Sequence, residues 1–373
     1  MSAPVFHWFL PTGGDDRVLG AQSHGAAIGG AGSGGRTGAG PPGHREPTLP
    51  YLTQLATAVE ELGFTGVLTP TGAHCEEAWL VTAALLAQTR RLKFLVALRP
   101  GLMSPVLAAH FAATFQLLSR DRLMLNVVVG GDPVERRAYG DAAPDEQRYA
   151  RATEFLEIVR RSLAGETVEH TGPHYAVEGA RLRRPPAVLP EVYLGGSSAG
   201  AVETAAREAD VFLTWGEPVD AVAAKVATVR RAAEDQGRRL RFGIRLHVIT
   251  RDTATEAWAD AERLIAGVDA ATVRARQASL RRLTSVGQRR MLDLHGGDRD
   301  RLLVAPNLWA GIGLVRGGAG TALVGSHAEV AERIEEYRAV GIDEFILSGY
   351  PHLEEAYAVG EGVLPLVEQS RAG

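Results

Sequence analysis

Arg245 and His247 stand two residues apart in Phe242-Gly-Ile-Arg-Leu-His-Val248, a run whose branched and aromatic side chains favour an extended strand. Side chains alternate along a strand, so both point to the same face. Facing inward, they are costly unless something polar meets them. Either a bound anion or a neighbouring carboxylate in an internal ion pair would serve. Arginine offers a planar fork suited to sulfonate, phosphate or carboxylate, and histidine can bind the same anion or move a proton near neutral pH. Arg316 lies among the glycines of residues 311–320, either as a solvated loop charge or as one that closes over an anion. Tyr350 follows the apolar run that ends at Leu347. Its phenol can donate to an oxyanion or cap the turn before Pro351, and His352 carries the same alternatives.

A second group has the makings of a phosphate cradle. Leu194-Gly-Gly-Ser-Ser198 precedes an alanine-rich segment, so glycines, the Ser197 and Ser198 hydroxyls and a helix N-terminus come together. Tyr149 and Arg148 could reach the same phosphate. Cys75 stands where a helix over residues 76–89 is expected to begin, and the helix dipole there lowers a thiol's pKa below its free value of about 8.5. A nucleophilic role is one reading of Cys75; an inert thiol, with no oxyanion motif beside it, is the other. No His, Cys, Asp or Glu cluster has metal-ligand spacing. Gly317-Gly-Ala-Gly320 lacks the strand–turn–helix order of a dinucleotide fingerprint.

These residues need elements to hold them. Strand-like runs occur at 5–11, 66–70, 93–98, 122–128, 191–195, 211–215, 242–250 and 344–347. Amphipathic stretches separate them at 52–62, 76–89, 109–118, 201–208, 220–236 and 328–340. Eight such alternating units predict a (β/α)₈ TIM barrel, here one domain over residues 1–373. Two segments break the rhythm. Residues 20–43, dominated by Gly, Ala and Ser, read as a mobile loop at the barrel mouth. Residues 252–301 form a long insertion after strand seven, of the kind that makes a lid. It carries helices at 254–266 and 271–282, the first announced by a capping box of Thr253 and Glu256.

Composition bounds the partners. The 373-residue chain has a formal net charge of −4, which gives no attraction to nucleic acid or an anionic membrane. Hydrophobic and charged residues make up 45% and 23%, an ordinary globular balance. There is no apolar run of about 18 residues, and the first eleven lack the pattern of a secretory leader. With one cysteine no internal disulfide can form, and a cytoplasmic location is expected.

Taken together, the motifs resemble the alkanesulfonate monooxygenase branch of the bacterial luciferase-like superfamily. The resemblance runs through Phe9-Leu-Pro-Thr12, Thr69-Pro-Thr-Gly72, Cys75-Glu-Glu-Ala-Trp79, Leu92-Lys-Phe-Leu-Val-Ala-Leu-Arg-Pro100 and Thr214-Trp-Gly-Glu-Pro218. It continues through Arg241-Phe-Gly-Ile-Arg-Leu-His247, Ser285-Val-Gly-Gln288, Pro306-Asn-Leu-Trp309, Gly320-Thr-Ala-Leu-Val-Gly325 and Ser348-Gly-Tyr-Pro-His-Leu-Glu-Glu355. It implies a barrel enzyme that takes reduced FMN from an NAD(P)H-dependent FMN reductase. With O2 as co-substrate, such enzymes convert an organosulfonate to aldehyde and sulfite. Arg245, His247, Arg316 and Tyr350 match catalytic and sulfonate-contacting positions, Trp215 an active-site aromatic and Cys75 a thiol near the flavin. Ser197, Ser198 and Tyr149 resemble phosphate contacts of FMN, with Thr69 and Asn126 near its ring. A homotetramer is also implied. Gly13 stands where many members have His, and the 20–43 loop is longer and richer in glycine than the family pattern. Both departures bear on substrate choice. A sulfone or amine monooxygenase, a deazaflavin-dependent dehydrogenase and a non-catalytic flavin-binding barrel are the alternatives.

Overall fold

Eight strands form where the apolar runs stand: β1 (Val5–Phe9), β2 (Gly66–Thr69), β3 (Lys93–Leu98), β4 (Leu123–Val127), β5 (Glu191–Gly195), β6 (Val211–Trp215), β7 (Arg241–Arg251) and β8 (Glu344–Ser348). The computed structural model describes residues 3–19, 43–130 and 132–369; all but the last residue of the 20–43 segment lies outside the described residues. Each strand pairs in parallel with the next, and β8 returns to β1 with Glu344 opposite Val5. A ring closed in this way leaves none of the eight strands as a free edge. The fold is a (β/α)₈ barrel.

Local chemistry starts the covering helices. Thr48, Ser104, Ser198 and Ser326 each accept a backbone N–H of the first turn, opening the helices Leu49–Glu61, Pro105–Ser119, Ala199–Glu208 and His327–Ala339. The main apolar core lies between these helices and the ring. A smaller one, with Phe9, Leu68, Leu95, Met124, Tyr193, Val211 and Ile346, fills the ring itself. Beneath it Glu344 is held by His7 at 3.2 Å, Tyr193 at 2.8 Å and Arg241 at 2.7 Å.

The eleven residues of β7 outrun its neighbours. Its first half pairs with β6, where Trp215 faces Arg245; its second half pairs with the strand Ala322–Ser326, where Ala322 faces His247. That strand continues antiparallel to Leu308–Trp309 and then Leu303–Ala305. All three escaped the sequence reading, and Leu308–Trp309 and Leu303–Ala305 are too short to show an alternation.

The insertion after β7 is helical as expected, with helices Ala254–Ile265 and Ala270–Leu280 and the Thr253–Glu256 capping box in place. A third helix, Val286–His295, was not foreseen. The insertion packs on its own apolar cluster, including Ile249, Leu264, Val273, Ile312, Leu314 and Val324. Among the described residues no helix is long and apolar enough to cross a membrane.

Candidate active site

The carboxyl ends of the ring strands open on a cavity of about 700 Å³, a size that takes a cofactor-sized ligand. At one end Ser197, Ser198 and Tyr149 line it, beside the start of the helix Ala199–Glu208. The Ser198 hydroxyl accepts from Ala201 N at 3.2 Å, which leaves its O–H to donate. Gly196 has φ +151°, and a Cβ there would lie 3.0 Å from the Tyr149 hydroxyl and 2.5 Å from Ala201 Cβ. Only glycine lets the phenol close on this turn. Arg148 also lines the cavity, with its guanidinium bonded to Gly130 O and, at 3.3 Å, to Thr284 Oγ1. Asn126, Val127, Leu213, Thr214 and Trp215 continue the wall. Backbone of the insertion packs on the indole, since a Cβ on Gly287 would come within 3.2 Å of Trp215.

Arg245 and Arg316 form the other end. Both guanidiniums lie over the Phe9 ring, at 4.6 and 5.6 Å from its centroid. Arg245 is 7% exposed, donates from Nη1 to Leu246 O at 2.7 Å, and leaves a buried Nη2 without a partner. Among the described residues it forms no ion pair with a carboxylate. Burial, and then the Arg316 charge, pull its pKa down to about 9. Arg316 is 6% exposed, which sets aside the solvated-loop reading, and its Nη1 lies 2.9 Å from His247 Nε2.

His247 and Tyr350 belong to a layer behind this wall. His247 is fully buried, bonded to Ser348 Oγ at 2.7 Å through Nδ1, and its ring stacks on Tyr350 with centroids 5.5 Å apart. Neither lines the cavity. The sequence reading let His247 bind the anion or move a proton; the structure puts Arg316 between its Nε2 and the cavity. Burial holds the histidine well below its ordinary pKa, helped by Arg245 and Arg316, and burial pushes the Tyr350 phenol up.

Two further expectations are corrected. Cys75 does not open the helix, which runs Ala78–Leu85 because the Glu77 carboxylate caps it by accepting from Leu80 N at 2.9 Å. Away from the helix dipole, burial dominates and pushes the thiol up to about 11. Thr69 ends β2 but is fully buried off the cavity wall, its Oγ1 without a partner.

The sequence reading passed over several wall residues. His74, Arg99 and Glu135 meet beside Arg316, with Arg99 Nη2 2.8 Å from Glu135 Oε2. Burial lowers the His74 pKa, with Arg316 and Arg99 adding to it. Glu217 joins Lys225 at 2.5 Å to Arg290 of the lid at 2.9 Å. Arg99 and Glu217 each follow a ring strand within two residues, and that position was the available signal. No group of three or more potential metal ligands occurs among the described residues.

The comparisons with known proteins agree with this architecture. A riboflavin lyase (RcaE), solved with modified FMN and its substrate riboflavin, superposes with a TM-score of 0.81 at 19% identity, over 99% of this chain and 92% of that one. A long-chain alkane monooxygenase (LadA) gives 0.76 at 18% identity, over 100% and 92%. The EDTA monooxygenase EmoA from Chelativorans sp. BNC1 gives 0.73 at 19%, over 100% and 95%. At these identities the likeness is one of fold. The sequence itself carries more: residues 7–344 match the luciferase-like monooxygenases, and the chain belongs to that family.

Proposed function

We propose that this protein is a two-component monooxygenase acting on an organosulfonate, with reduced FMN, supplied by a separate NAD(P)H-dependent reductase, and O2 as co-substrates. The products would be an aldehyde, sulfite, oxidised FMN and water. One oxygen atom enters the aldehyde as the C–S bond breaks, and the other leaves as water. When bound, the reduced flavin supplies the two electrons that activate dioxygen.

The observation that carries the reading is the pair of buried guanidiniums over Phe9, one with an unpartnered Nη2 and no carboxylate. Such a pair is stabilised by an anion, and a sulfonate offers three oxygens to two forks. Arg245 and Arg316 would bind it. His247 and Tyr350 would act as positioning residues, the first by holding Arg316 and the second by stacking on His247. Ser197, Ser198 and Tyr149 fit a flavin phosphate, and Asn126 and Trp215 line the same cavity. Lid residues 283–288 complete the wall and keep water from the reacting atoms.

Sulfite release from octanesulfonate or methanesulfonate, with a flavin reductase present, tests the proposal. Sulfite and aldehyde in equal amounts are expected, with release lost in Arg245→Ala. Absence of sulfite from both, under conditions where reduced FMN binds, would discard the sulfonate as substrate.

A further inference from the structure

Arg316 reaches the cavity from the tip of a pinched loop. Gly313 N donates to Gly320 O at 2.9 Å across its base. A Cβ on Gly320 would fall 2.7 Å from Gly313 Cα, so the two strands of the loop meet only as glycines. Inside the loop the Arg316 backbone N–H donates to Ile312 O at 3.0 Å. That bond fixes a turn, not the loop's position over the ring.

His247 holds the guanidinium from the ring, and two further holds on the loop backbone come from the lid. Gln277, on the helix Ala270–Leu280 and 3% exposed, donates from Nε2 to Gly313 O at 3.0 Å and to Leu314 O at 2.9 Å. Gln288, on the helix Val286–His295 and 2% exposed, accepts the Gly318 N–H at 2.9 Å through Oε1. The partners settle both amide orientations, because carbonyls only accept and a backbone N–H only donates. Gln277 keeps this orientation although its Oε1 is left buried without a partner. Arg316 is thus gripped two residues before and two after, by different lid helices. Gly318, at φ +84°, is the turn that offers its N–H to the second grip.

We propose that Gln277 and Gln288 are positioning residues for Arg316. The guanidinium reaches the anion end of the cavity only while both lid helices hold its loop. The lid then completes the anion site as well as covering it, and substrate affinity depends on residues that bind the loop backbone. This inference rests on the reading of Arg316 as half of an anion clamp.

Gln277→Leu and Gln288→Leu remove the grips. Thr253→Ala, which breaks the capping box of a lid helix away from the loop, controls for general loosening of the lid. Each is measured well below its melting temperature, by octanesulfonate affinity, reduced FMN affinity and hydrogen exchange at residues 313–318. The glutamine variants should weaken octanesulfonate about tenfold, equivalent to about 1.4 kcal/mol of lost restraint. Gln277→Leu, at a residue off the cavity wall, should hold reduced FMN as the wild type does, and both variants should exchange the Gly318 amide faster. Thr253→Ala should leave all three readings unchanged. Wild-type octanesulfonate affinity in both glutamine variants overturns the inference, as does an equal loss in Thr253→Ala. If the wild type itself neither binds nor cleaves octanesulfonate, the sulfonate reading fails. The exchange at Gly318 then still decides whether the glutamines hold the loop.

Discussion

His247 Nε2 lies 2.9 Å from Arg316 Nη1, and this contact sets the tautomer of the ring. A guanidinium only donates, so this contact, shorter than the 3.1 Å to Ala319 O, favours Nε2 as acceptor with the proton on Nδ1, donated to Ser348 Oγ at 2.7 Å. Ala319 O, 3.1 Å from Nε2, is served instead by Arg316 Nη1 at 3.4 Å. Burial and the two arginine charges keep the ring neutral. Nitrogen NMR should therefore show the neutral Nδ1–H form of His247 from about pH 8 to about pH 5, across the range in which a free histidine titrates. A midpoint near 6.5 would contradict the assignment.

Removing the other partner tests the clamp. Arg316→Ala should cut sulfite release about 100-fold or more, the loss of roughly 3 kcal/mol for a charge-assisted contact in a dry site. Affinity for reduced FMN should stay near that of the wild type. Arg316→Lys should recover part of the activity, because a point charge replaces the planar fork. Wild-type turnover in Arg316→Ala would remove this residue from the reaction.

Cys75 should behave as a buried, weakly acidic thiol. Its pKa, pushed up to about 11, keeps it protonated near neutral pH. Alkylation by iodoacetamide should be slow at pH 7 and accelerate as pH rises toward 11. Cys75→Ser should retain most activity. Rapid alkylation at pH 7 would show a thiolate that this environment does not support.

His295, 1% exposed within the lid, links stability to acid. Burial lowers its pKa from 6.5 to about 4. Below about pH 6.5 the unfolded chain takes up a proton that the folded chain refuses, so stability falls as pH drops toward 4. The slope reaches at most about 1.4 kcal/mol per pH unit for this one group. Urea unfolding at several pH values should show a shallower decline for His295→Gln than for the wild type. Identical slopes would mean that His295 is protonated in the fold.

The ring was legible in the sequence because every strand is an apolar run bounded by turns, and each reading lay within two residues of its strand. Arg245 was legible for a related reason: a charge inside such a run has no cheap place to go. The layer to which His247 belongs was not. Period-two alternation tells that a side chain points inward, but not that Arg316, 69 residues further on, comes between it and the cavity. Cys75 misled because its helix begins two residues later than the pattern suggested, and that short shift exchanges a dipole for burial. The pairs Arg99–Glu135 and Glu217–Arg290 join segments whose meeting depends on the closed ring, and no local spacing announces them.

The change of partner along β7 divides inheritance as well as space. Every backbone pairing of the ring forms without residues 252–321, which leave β7 after Arg251 and rejoin its far half at Ala322. A recombination with both crossovers at those joints would replace the lid and its glutamines together with Arg316, while Arg245, His247 and the Ser197–Ser198 turn stayed with the ring. Half of the anion site would travel with the exchanged cassette and half would stay. Chimaeras between distant relatives would then change the charge at the cavity in one step while keeping the barrel.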